Sequence, residues 1–150
     1  MDRYSAALLA AVDSSFVAWL QNCAIDACVR SLGACSDDLA TSARQMAEKA
    51  RPIVVGELEQ LLGLDPEQQR TNPLSVLRNA VNYPTDLLLA NNVPPPVRSS
   101  FDTRVHPRDV YGLSPATWAD VDQSLSEPGL IWGAWKAKTI LDRRRSERRK

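Results

Sequence analysis

The chain has 150 residues, 44% hydrophobic and 24% charged, enough for one domain with a buried core and too apolar for a disordered segment. Eighteen basic residues balance eighteen acidic ones, so bulk charge selects neither a nucleic acid nor a membrane surface as partner. One histidine and three cysteines leave little for metal or acid–base chemistry, and six glycines against ten prolines, with abundant alanine and leucine, favour helices.

A first helix is expected over about residues 2–31. At about 100° per residue, Leu8, Leu9, Val12, Phe16, Trp19, Leu20, Cys23 and Ala27 share one broad face, a core stripe. The apolar stretch is interrupted by Asp13 and Asp26, and the twelve residues between them include Gln21 and Asn22, so no membrane span is expected. Arg3 alone does not make the positive end of a signal peptide, and the helical period runs straight through Asp13, so export is not expected either. The other face carries Ala7, Ala11, Ser14, Ala18, Asn22, Ile25 and Val29. Either it faces water, or these small residues admit a second helix from the same bundle or from a partner. Gly33 supplies the stop.

Cys23 and Cys28 lie five apart and diverge by about 140° on a helix, which suits neither a disulfide nor a shared metal. With Cys35 they read as small buried hydrophobes of a reducing compartment, the cytoplasm. Ser36 or Asp37 caps a second helix, in which Leu39, Ala43, Met46, Ala47, Ala50, Val54, Leu58 and Leu61 keep one phase to Gly63. The phase survives Pro52, so one bent helix is expected over 37–62, and the two long helices form an antiparallel hairpin.

Asp65-Pro66 and Asn72-Pro73 each pair a capping residue with proline at a first helical position. The second opens a helix reaching about Asn82, and Tyr83-Pro84 either kinks it or starts another through Ala90. The triple proline Pro94, Pro95 and Pro96 is an extended strap. Residues 97–113 show no period, Ser114-Pro115 caps a short helix carrying Trp118 and Val121, and a last helix opens near Glu127-Pro128. Nothing reads as a strand. The fold class is all-α: the long hairpin packed with shorter helices, the strap and a C-terminal helix, over residues 1–142, followed by a basic tail over 143–150.

Three places could carry function. Residues 136–150 hold eight basic and two acidic side chains, net +6, against ten and sixteen, net −6, over 1–135. The basic run is Arg143, Arg144, Arg145, Arg148, Arg149 and Lys150. It suits phosphate contact, and it suits equally a helix C-terminus or docking onto an acidic surface. On the last helix Leu130, Ala134, Ala137 and Leu141 form one face, a core seam, while Trp132 and Trp135 lie roughly opposite. Those tryptophans could anchor a partner, stack on bases, or be buried under residues 97–113. The irregular segment offers His106, Arg108, Asp109 and Tyr111 as a ligand site, with Asp102 or Asp109 to orient the imidazole. Asp120 and Asp122 diverge by about 160° on a helix and make a poor metal clamp. No nucleophile motif, phosphate-cradling glycine loop, cofactor pattern or helix-turn-helix spacing is found. The expected function is a non-catalytic interaction or regulatory protein, cytoplasmic and without cofactor, that binds a protein partner or itself. Nucleic-acid association through the basic end is the first alternative, and a small-molecule site or enzyme in 97–113 the second.

Overall fold

A computed structural model describes residues 1–96 and 108–148. The fold is all-α, with no strand among the described residues. Helix α1 (Arg3–Leu32) begins where the Asp2 carboxylate accepts from the backbone N–H groups of Tyr4 and Ser5, and ends at Gly33, whose φ of 82° is left-handed. Helix α2 (Asp37–Leu62) follows at once, capped by the Ser36 hydroxyl accepting from Leu39 N–H. Pro52 lies on its exposed side and does not divide it: α2 is one helix.

The two helices run antiparallel and share the core. Leu8, Val12, Phe16, Trp19 and Leu20 of α1 meet Ala47, Ala50, Val54, Leu58 and Leu62 of α2 in the larger cluster. Alanine at two of these α2 positions leaves room for the bulky α1 side chains opposite. Polar side chains then tie the pair. Arg51 pairs with Asp13 at 3.1 Å, and Gln21 Nε2 donates to Ala40 O at 3.0 Å. By length and composition α1 could cross a membrane; here its buried stripe packs on α2 and on the helices that follow.

After a single 3-10 turn at Pro66–Gln68, capped by Asp65, come α3 (Leu74–Ala80) and α4 (Asn82–Ala90). The chain therefore breaks at Val81, and Pro84 lies in the first turn of α4, where a missing N–H costs nothing. Leu88, Val93 and Tyr111 close a second cluster over Ala24, Ala27, Cys28, Leu39 and Ala43. Helix α5 (Trp118–Val121) starts three residues later than Ser114-Pro115 suggested. Its N-cap is Thr117, and Asp120 accepts from the N–H groups of Ala116 and Thr117 at 2.9 Å each. The N–H groups of Leu113 and Ser114 are instead tied back to the Asp109 carboxylate in the turn before the helix.

A second 3-10 turn leads into α6 (Ser126–Arg148), which runs without a break through Asp142 and Arg143. The described part of the basic run is thus the last turns of a helix. Gly129 lies where α6 crosses α5: a Cβ there would stand 2.5 Å from Trp118 Cδ1 and 3.0 Å from its Cβ. At Gly133, one turn on, nothing lies within 4 Å. Gly129→Ala should therefore lower stability by about 1–3 kcal/mol in denaturant unfolding, whereas Gly133→Ala should raise it by roughly 0.5–1 kcal/mol. Equal effects at the two positions would contradict this packing.

Candidate interaction surface

One side of α6 differs from the sequence expectation: the tryptophans are packed inward, on α1, and the Leu130–Leu141 seam is not core. Trp132 is buried at 5% exposure, and its indole N–H donates to the buried Ser5 hydroxyl at 3.1 Å. Trp135 lies against Tyr4, ring centroids 6.0 Å apart. Both tryptophans thus sit on the first turns of α1, Trp132 buried and Trp135 half-buried. The seam expected to be core is outside, with Leu130 73% and Leu141 48% exposed, and Ala134 and Ala137 exposed between them. The physical reason is the fit of the indoles to Tyr4 and Ser5. Each indole offers a large apolar area of about 150–250 Å², and Ser5 supplies the acceptor that a buried indole N–H requires.

The rest of the inner side is amphipathic. Gly129, Trp132, Lys136, Thr139 and Arg143 follow at spacings of three and four. Lys136 lies over the Trp132 ring at 5.4 Å and donates to Gln69 O at 3.3 Å, so its stem covers the indole and its charge is spent locally. Burial lowers its pKa. Arg143 donates to the Asp65 carboxylate at 2.6 Å and lies 3.7 Å from that of Glu67. The bond from the Arg143 guanidinium, with that from the Glu67 backbone N–H, holds the Asp65 carboxyl below its ordinary value. This clamp is complete above the ordinary carboxylate range and is lost as pH falls through the depressed value.

One member of the basic run is therefore a docking residue of the fold. Arg144, Arg145 and Arg148 are exposed and carry no ion pair among the described residues; Arg149 and Lys150 lie outside those residues. In the sequence Asp65 stands only as a capping residue, and Tyr4 and Ser5 are not singled out. Only the tertiary meeting of α6 with the start of α1 and the turn after α2 gives them their part in seating α6.

The ligand candidates around 97–113 are only partly described, and His106 lies outside the described residues. Asp109 is buried and accepts from Leu113 N–H and Ser114 N–H, both at 2.7 Å. Tyr111 is buried and its hydroxyl donates to Val93 O at 2.6 Å. Both polar groups hold the chain to itself. Arg108 is exposed. A groove of about 360 Å³ runs between the triple proline, Tyr111 and the end of α1, where Ser31 Oγ donates to Pro94 O at 2.6 Å.

On the second face of α1, Ala7, Ala18 and Val29 are exposed, and Ala11 and Ile25 are half-buried. Ala11 packs on the larger core cluster. Ala18 and Asn22 border a cleft of about 390 Å³ against residues 112–115 and 120–122, so this face is partly taken up within the chain. Among the cysteines, burial pushes the Cys23 thiol up to about 12, which keeps it protonated and unreactive. All three thiols are free, and no metal-binding cluster occurs among the described residues.

The chain matches no family model, no curated protein and no solved structure. Its outward seam is accordingly judged by its own geometry. Trp132→Ala should cost about 3–5 kcal/mol, while Leu130→Lys and Leu141→Lys should each stay within about 0.5 kcal/mol of wild type. Urea unfolding of the three variants measures both, and a costly Leu130→Lys would return that seam to the core.

Proposed function

We propose that this is a non-catalytic interaction protein that docks another helix along the outer seam of α6. The observation that carries this reading is the row Leu130, Ala134, Ala137 and Leu141, apolar and open to solvent along nearly three turns of a helix whose opposite side is anchored. Ile131, 43% exposed, widens it. Exposed leucines singly are unremarkable on a protein surface, but a continuous row of them marks a contact. The matching occupant is an amphipathic helix with leucine-sized side chains and an acidic end to meet Arg144 and Arg148. The three free thiols fit a cytoplasmic setting for this exchange.

A second reading, contact with a nucleic-acid backbone, rests on Arg144, Arg145 and Arg148, which are exposed within two turns. It predicts binding that weakens steeply with salt. The apolar row has no part in it, which is why the helix-docking reading stands first.

A photo-cross-linking residue at position 134, introduced in cells that make the protein, tests the proposal. An adduct is expected from position 134, absent from the exposed control position Glu57 on α2, and lost when Leu130→Asp is added. Equal adducts from both positions, or none from 134, would remove the outer seam as a docking surface.

A further inference from the structure

The helix-docking reading leaves the occupant open, and the charges at the two ends of the seam identify one. The exposed row extends beyond its apolar part in both directions. Glu127, Leu130, Ala134, Ala137, Leu141, Arg144 and Arg148 follow at alternating spacings of three and four, and every one of them is exposed. That spacing is the heptad seam of a two-helix coil, in which helices cross at about 20°. One end is acidic, the other basic, and the centre falls between Ala134 and Ala137.

We infer that the occupant is a second copy of this chain, its α6 laid antiparallel in the register that sets Leu130 against the partner's Leu141. A two-fold axis through the middle of the seam makes the arrangement self-complementary. Ala134 then meets the partner's Ala137, and the two small pairs let the backbones approach closely at the centre. Glu127 meets the partner's Arg144, and the same contacts recur on the other side of the axis. A parallel pair would instead set Arg144 and Arg148 against their own copies, a like-charge contact. Arg143, which would add to the repulsion at a crowded basic end, is turned inward and neutralised by Asp65 and Glu67. A single pair of helices is a small interface, so the dimer should be weak and dependent on concentration.

This inference rests on the helix-docking reading, and its test separates the two. Sedimentation equilibrium of the full chain, from micromolar to near-millimolar concentration, should show a reversible monomer–dimer equilibrium. Glu127→Arg and Arg144→Glu should each weaken it by about tenfold or more, since each places like charges together twice per dimer. An equimolar mixture of the two single variants should dimerise again, because each contact between them then sets one positive side chain against one negative. Both substitutions are at exposed positions, and unchanged circular dichroism confirms the fold. A monomer at every concentration, or a dimer indifferent to both variants and to their mixture, would overturn the second copy. If a cross-link from position 134 then still captures a chain of different mass, the second copy alone falls; if it captures nothing, the docking reading falls with it.

Discussion

The seating of two indoles on the first turns of α1 decides which side of α6 the molecule shows to its surroundings. Trp132 reaches the Ser5 hydroxyl and Trp135 lies on Tyr4, 127 residues on from the first of those partners. Together these contacts set the rotation of α6 about its axis. Once Trp132 points inward, Leu130 and Ala134 must point outward, because residues two apart on a helix diverge by about 160°. The outer seam is thus a consequence of the inner one. Gly129 belongs to the same constraint, since the close approach of Trp118 leaves no room there for a side chain.

A second contact fixes the far end. Arg143 is held by Asp65 and Glu67 in the turn that follows α2, so α6 is pinned at the start of the hairpin by aromatic packing and beyond its end by charge. The basic run is thereby divided. Arg143 serves the fold, while Arg144 and Arg148 extend the outward seam and Arg145 stands beside it. A run that reads as one electropositive block in the sequence does two jobs, sorted by helical phase. The proposed antiparallel pairing uses Arg144 of the second set, with Glu127 at the opposite end as its complement.

The hairpin was legible in the sequence because α1 and α2 each carry one long stripe in a single helical phase, bounded by capping residues and glycine. Asp2, Gly33 and Ser36 act at the termini as their chemistry predicts. The all-α class followed from that stripe and from the absence of any alternating pattern. The outer seam of the last helix looks like core because the helix carries two seams of equal period, and the outer one, through Leu130 and Leu141, has more aliphatic residues. The seam that is core includes Gly129, Lys136, Thr139 and Arg143, whose fitness for burial depends on Trp118, Gln69 and Asp65 elsewhere in the chain. The start of α5 lies later than Ser114 because Thr117 and Asp120 form the cap, with Asp120 accepting from Ala116 N–H and Thr117 N–H. On α6, local pattern was overridden by partners far away in sequence.

The central claim is that the outward seam of α6 pairs with its own copy, head to tail. The most direct measurement is the distance between spin labels attached through an unnatural amino acid at position 148, read by pulsed dipolar spectroscopy on the concentrated full chain. The antiparallel register sets the two labels about 40 Å apart, from a rise of 1.5 Å per residue and helix axes 8–10 Å apart. A separation of about 10–20 Å would mean parallel helices, and the absence of any dipolar coupling at dimer-forming concentration would mean that α6 does not pair; either result would contradict the account.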